Sequence, residues 1–153
     1  MSERVHESET GRYPGLLLII SGPSGVGKTT ITHRVEKRLG AVFSVSMTTR
    51  PITAADVEGR DYSFVSPERF DEALERDELL EWAEVFGNRY GTPRGPVLEH
   101  LHRGRLVILE IDVEGAVQVK RNLPEAFALF VLPPSESVLL QRLRSRQRED
   151  EAT

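Results

Sequence analysis

Gly22-Pro23-Ser24-Gly25-Val26-Gly27-Lys28-Thr29 follows an apolar run, Leu16 to Ile20, and opens a segment with helical character, Thr29 to Leu39. The octet satisfies G-x-x-x-x-G-K-[ST] at every fixed position, in the strand–loop–helix setting that the pattern requires. A phosphate chain can be wrapped by backbone N–H groups only where the loop lacks bulky side chains and accepts unusual φ/ψ values. The helix behind the loop adds the positive end of its dipole. In that arrangement Lys28 reaches the β- and γ-phosphates of a nucleoside triphosphate, and Thr29 presents a hydroxyl to Mg²⁺. The bland alternative, a glycine-rich turn that only ends a strand, leaves both flanks unexplained.

Working outward from this loop, short apolar runs recur along the chain. Leu16 to Ser21 reads as a strand buried on both faces, as in a parallel sheet. The helix after the loop carries Ile31, Val35 and Leu39 at core spacing and ends at Gly40, a residue suited to the left-handed C′ position. Ala41 to Ser46 is expected to be a second strand. Arg105 to Asp112 reads as another buried strand with a helix over 113–122 behind it. Ala126 to Leu132 reads as a third, stopped by Pro133-Pro134. Ser135 caps a last helix with Val138, Leu139 and Leu143, running toward Arg146. Buried strands alternating with helices imply parallel βαβ units and an α/β fold.

The stretch from about 46 to 93 breaks that rhythm and reads as a small α+β insert. Met47 to Arg60 is a polar loop punctuated by Pro51 and Gly59. Asp61 to Val65 is expected as a strand. Ser66-Pro67-Glu68 supplies an N-cap, a first-turn proline and an acid for a helix through Phe70, Ala73 and Leu74 to about Asp77. Two strands, Leu79 to Phe86 and Arg89 to Gly91, are expected about a Gly87-Asn88 turn, and a helix over 95–103 ends at Gly104.

The 153 residues fit one domain with a sizeable core; residues 1–14 read as a mobile tail. The absence of cysteine excludes a disulfide frame and a thiolate metal site. No apolar run approaches membrane-spanning length, and the polar start lacks the apolar core of a secretory signal, so a cytoplasmic location and no membrane partner are expected. A formal charge of −4 argues against nucleic acid as a partner. His33, His100 and His102 suggest no metal site. Monomer and homo-oligomer both stay open.

Several segments together resemble the guanylate kinase family: Ser21–Thr30, Ser44-Val-Ser-Met-Thr-Thr-Arg50, Gly59-Arg-Asp-Tyr-Ser-Phe-Val65, Leu80-Glu-Trp-Ala83, Tyr90-Gly-Thr92, Leu109-Glu-Ile-Asp112 with Gly115, and Leu132-Pro-Pro-Ser135. They occur in the family's order and spacing over about residues 14–148. The resemblance implies a P-loop three-layer α/β fold with a parallel core sheet (15–45 and 94–134), an α+β insert that binds GMP (46–93) and a partial helical lid (135–153). It implies ATP-dependent phosphorylation of GMP, and of dGMP, in purine nucleotide metabolism, with ATP and Mg²⁺ as cofactors. Gly22, Pro23, Ser24, Gly25, Val26, Gly27, Lys28, Thr29 and Thr30 would hold the ATP phosphates. Glu81 would accept two hydrogen bonds from the N1–H and N2 edge of guanine; adenine offers an acceptor at N1 and no N2 donor, so a buried carboxylate would reject it. Thr92 and Ser46 match family positions whose hydroxyls bond the base. Arg50 would hold the GMP phosphate through its planar fork, with Tyr62 and Tyr90 donating hydroxyl bonds. Asp112, where an apolar strand ends, would orient Mg²⁺ with Thr29, and Glu110 lies two residues earlier on the same strand face, its counterpart lying toward GMP. Arg142 and Arg146, four apart on one helix face, match lid arginines that stabilise charge on the transferred phosphoryl group, so with Lys28 they are the catalytic candidates.

Two departures stand out. The family's second GMP-phosphate arginine, three residues after the Arg50 equivalent, is Thr53 here; losing such a contact weakens binding roughly ten- to a hundredfold. Arg60 is a nearby cation that could stand in. The chain also stops at Thr153, inside what would be the lid, before the family's further lid arginine, core strand and terminal helices. A fragment and a naturally shortened, self-associating chain are both expectations from that ending. Two other readings therefore stay beside the kinase: a catalytically silent nucleotide-binding or interaction module, and a kinase of another monophosphate.

Overall fold

The computed structural model describes residues 13–23 and 25–151, with side chains through Ser145. Ser24, the side chain of Arg146, and residues 1–12 of the expected tail lie outside the described residues.

The chain alternates β1 (Leu16–Ser21), α1 (Lys28–Leu39), β2 (Val42–Phe43), β3 (Met47–Thr48), β4 (Ser63–Phe64), α2 (Pro67–Glu75), β5 (Leu79–Val85), β6 (Asn88–Pro93), α3 (Arg94–His102), β7 (Leu106–Glu110), α4 (Val113–Asn122), β8 (Phe127–Phe130) and α5 (Glu136–Glu151). Four of these strands form a parallel sheet in the order β2-β7-β1-β8, with Ile19 beside Leu109 on one side and Ala128 on the other. The remaining four form a mixed sheet in the order β4-β3-β6-β5, parallel only between β3 and β4.

Successive residues of a strand point to opposite faces, and β1 uses this to anchor two layers. Leu17 and Ile19 pack with Val97 and Leu101 of α3 and with Ala116 and Val119 of α4. Leu18 and Ile20 pack with Ala41, Ile108 and the Ile31–Val35 face of α1. The parallel sheet is thus sandwiched between helices, the three-layer arrangement expected. Ile19 and Ile20 are fully buried, each side chain stabilising the fold by about 1.5–3 kcal/mol. A third cluster, Met47, Phe70, Ala73 and Leu79, fastens α2 onto the mixed sheet.

The mixed sheet is not left hanging. Leu80 of β5 is fully buried within the first cluster. Around it, three side-chain bonds from α4 meet β5 backbone: Asn122 donates to the Leu80 carbonyl (2.8 Å), Gln118 donates to the Trp82 carbonyl (3.0 Å) and accepts from the Trp82 N–H (3.1 Å). Those bonds satisfy an open strand edge that would otherwise need water.

Several local expectations hold. Gly40 caps α1 in the left-handed region at φ 61°, and Ser66 caps α2 by accepting from the Arg69 N–H. Other expectations need correction. Leu39 is exposed at the end of α1 and not in the core. The Ala41–Ser46 and Asp61–Val65 strands shrink to two residues each, because β2 and β4 pair with one neighbour over a short register. α2 stops at Glu75, since Asp77 turns into positive φ (54°). The hairpin turn is Phe86-Gly87, with φ of 50° and 76°, and Asn88 already pairs with Val85; a two-residue loop needs positive φ at both positions to match strand twist. The largest correction concerns 126–132. Its strand is β8, at the sheet edge, with Phe127, Leu129 and Phe130 exposed rather than buried. Among the described residues it has a strand neighbour on one side only.

Candidate active site

In an open α/β sheet, ligands gather at the carboxyl ends of the strands. β1 runs there into the glycine-rich loop, and β7 runs there into Glu110 and Asp112. The loop backbone needs its glycines: Gly22, Gly25 and Gly27 adopt φ of 147°, 78° and 101°. A methyl at Gly22 would also lie 2.5 Å from the Val131 carbonyl oxygen. Gly27 is the N-cap residue of α1, and among the described residues no capping side chain meets the first N–H groups of α1, the kind of helix start that suits an anion. Lys28 Nζ folds back to donate to the Gly22 carbonyl at 2.6 Å, bracing the loop across its own span.

Thr29 Oγ1 donates to Glu110 Oε1 at 2.7 Å, joining the loop to the end of β7. Two residues on, Asp112 caps α4 by accepting from the Gly115 N–H at 2.8 Å. This places a hydroxyl and two carboxylates at neighbouring strand ends. These are hard oxygen donors of the kind Mg²⁺ prefers, so the residues present fit such an ion.

Glu81 comes to the same place from the mixed sheet. Its carboxyl is buried and accepts from Thr92 Oγ1 at 2.6 Å, its cross-strand partner in the β5–β6 register. The other oxygen lies over the first turn of α4, where a Cβ added to Gly115 would sit 2.9 Å from Glu81 Oε2 and 3.1 Å from Asp112 Oδ1. Burial holds the Glu81 carboxyl above the usual carboxylate range; the Thr92 hydroxyl opposes this, and the charge of Asp112 adds to it.

Arg50 sits where β3 opens into the polar loop. Its Nη1 and Nη2 grip Asp56 at 3.0 and 2.9 Å, and its guanidinium carbon lies 5.5 Å from the Tyr62 ring centre and 5.3 Å from that of Phe64. Tyr62 and Tyr90 meet edge to face at 5.7 Å. Burial raises the Tyr62 phenol; Tyr90 adds to this, Arg50 opposes it, and the carboxylates of Asp56 and Glu110 add smaller contributions. Tyr62 therefore stands within electrostatic reach of both Arg50 and Glu110. Ser46 lies partly buried just before β3, its carbonyl accepting from the Ser63 N–H. Thr53 does not stand alone: its N–H and hydroxyl both donate to Asp56, at 2.8 and 2.7 Å. Arg60, by contrast, leans on its neighbour Asp61.

The glycine-rich loop and α5 enclose a cleft of about 680 Å³ lined by Gly25, Val26, Gly27, Thr30, Gln141 and Arg142, among others. Arg142 Nη1 donates across it to the Val26 carbonyl at 3.1 Å.

Residue type and spacing alone give no role to Asp56, which holds Arg50 and Thr53 at once, or to Gln118 and Asn122, which seat β5 beside α4. An acid six residues from an arginine was the available sign for the first; nothing in the sequence marked the other two.

A glycine-rich phosphate loop, acidic strand ends beside it and an α+β insert aimed at both define the class: a P-loop nucleotide-binding protein of the α/β type. The family model described as Guanylate kinase matches residues 15–153. The guanylate kinase of Gloeobacter violaceus is 54% identical over 140 residues, covering 91% of this chain and 68% of that protein. That of Carboxydothermus hydrogenoformans is 48% identical, covering 91% of this chain and 69% of that protein. The crystal structure of guanylate kinase from Anaplasma phagocytophilum superposes with a TM-score of 0.70 at 36% identity, covering 85% of this chain and 66% of that one. The chain belongs to the guanylate kinase family, phosphotransferases that take ATP as donor and GMP as acceptor. It spans about two thirds of the length of these relatives. No helix among the described residues is long and apolar enough to cross a membrane.

Proposed function

We propose that this chain transfers the γ-phosphoryl group of ATP to GMP, and to dGMP, giving ADP and the corresponding diphosphate, in the cytoplasm. The observation that supports it best is the meeting of two sheets at one place. Thr29 of the phosphate loop bonds Glu110 at the end of β7, and Glu81 of the insert lies against Gly115 and Asp112 just beyond it.

In this reading the segments 15–45 and 94–134 form the core, 46–93 the acceptor insert and 135–153 part of a lid. The loop amides from Gly22 to Thr30, with Lys28, cradle the donor phosphates. Lys28 leaves the Gly22 carbonyl for the β- and γ-oxygens. Thr29 and Asp112 are the residues that would hold Mg²⁺, which would supply charge neutralisation for the phosphoryl transfer. Glu81 reads the N1–H and N2 edge of guanine, with Thr92 and Ser46 beside it. Arg50, Tyr62 and Tyr90 fix the acceptor phosphate, and Glu110 lies between the two nucleotides. An oxygen of the GMP phosphate forms the new bond to the γ-phosphorus, the bond to the β,γ-bridging oxygen breaks, and ADP leaves with that electron pair. Arg142 and Arg146 stabilise the charge spread over the transferring group, so no protein nucleophile is needed.

A coupled assay of ADP formation from MgATP tests this. GMP should be the preferred acceptor over AMP, UMP and dTMP, and Lys28→Ala should abolish the GMP-dependent rate. Turnover equal to that of Lys28→Ala, or no preference for GMP, refutes the proposal.

A further inference from the structure

A planar guanidinium carries five N–H donors, four of them paired into two forks and the fifth a lone Nη1–H. In Arg50 the end-on fork is taken: Nη1 and Nη2 each donate to one oxygen of Asp56, and Nη1 also donates to the Pro51 carbonyl at 3.2 Å. The hydrogen bonds of the described residues leave the Nε–H and one Nη2–H, which are neighbours and together make the side-on fork. A side-on fork suits two oxygens of one phosphate. The guanidinium carbon of the same group lies over the Tyr62 and Phe64 rings. Asp56 is itself braced, because Thr53 donates to Oδ2 from both its N–H and its hydroxyl. Its side chain is largely buried, at 14% exposure.

We propose that Asp56 is a positioning residue for acceptor binding: braced by Thr53, it locks Arg50 with one fork occupied so that the other is already aimed at the nucleoside-monophosphate phosphate. Thr53, standing where the resemblance places a second arginine, then supports the first arginine in place of adding a second cation. The inference rests on the reading that Arg50 meets the GMP phosphate. It opposes the simplest electrostatic expectation, in which a carboxylate beside a phosphate site only repels the ligand.

Equilibrium titrations with GMP and with guanosine, which lacks the phosphate, separate these ideas. Asp56→Ala should weaken GMP about tenfold or more while guanosine binding stays within about twofold, since a freed arginine must be re-ordered for each binding event. Thr53→Val, which removes only the hydroxyl bond, should give a smaller loss, about two- to fivefold, again with GMP alone. In an Arg50→Ala background, Asp56→Ala should have no further effect on GMP. Tighter GMP binding by Asp56→Ala overturns the proposal in favour of a competing counter-ion. Parallel losses for GMP and guanosine overturn it in favour of general loop support. Should Asp56→Ala prove unfolded by its thermal melt, the Thr53→Val titrations decide on the same criteria. An Arg50→Ala chain with an unaltered GMP-to-guanosine ratio would instead remove the underlying phosphate assignment, a result distinct from failure at Asp56.

Discussion

Replacing Glu81 by glutamine keeps the shape of the side chain and changes its chemistry in one respect: one acceptor oxygen becomes a donor NH₂. Thr92 can still donate to the remaining Oε1, as it does now at 2.6 Å. In the proposed binding mode, however, guanine brings two donors to this edge, and one of them would now face a donor. The loss comprises a charge-assisted bond worth about 1.5–3 kcal/mol and a buried donor left unpaired, with partial recovery from a neutral bond. A net penalty of about 2–4 kcal/mol, roughly 30- to 1,000-fold in Kd, is expected for GMP. ATP, bound at the loop, should change little. Calorimetric titration of the two nucleotides reads both numbers. The same substitution should stabilise the ligand-free chain near neutral pH. Burial raises the Glu81 pKa, so the folded state holds that proton more tightly than the unfolded state. Stability is then fully present below the ordinary carboxylate value and declines as pH rises through the raised one. Glutamine removes this decline: the Tm advantage of the variant should appear at pH 7 and vanish near about pH 4. Equal losses for GMP and ATP, or a variant less stable than the parent at pH 7, refute the reasoning.

Gly115→Ala places a methyl 2.9 Å from Glu81 Oε2 and 3.1 Å from Asp112 Oδ1. Alanine favours the helix by about 1 kcal/mol over glycine, so Tm should move little, while GMP affinity drops about tenfold as both carboxylates shift; unchanged GMP affinity contradicts this. Arg142→Ala removes the bond to the Val26 carbonyl and a cation from the cleft. Its kcat should fall by about 10²–10³ with the KM for GMP little altered, and a loss confined to the KM for ATP would assign Arg142 to ground-state binding.

What could be read in advance was what local chemistry dictates. The phosphate loop is legible because glycine, lysine and threonine each have one physical duty there. β7 and the helix behind it are legible because the apolar run from Leu106 to Leu109 is a clear local signal, whereas the role of Asp112 as the cap of α4 came only with the structure. β8 misled because Phe127, Leu129 and Phe130 are as apolar as a buried strand, and apolarity alone does not tell a central strand from an edge one. The hairpin was displaced by one residue because Phe86 accepts a positive φ that is rare outside glycine and asparagine. Asp56, Gln118 and Asn122 were missed for a different reason. Each is an ordinary polar residue whose importance lies in a partner that only the tertiary fold supplies.

The pairing of Glu81 with Thr92 across β5 and β6 carries an implication for distant sites. Side chains alternate along a strand, so lengthening the Phe86-Gly87 connection by a single residue could slide the two strands and send the carboxylate to the far side of its sheet. On the proposed role of Glu81, base discrimination then depends on the length of that bend, and insertions there should be as damaging to recognition as changes at Glu81 itself.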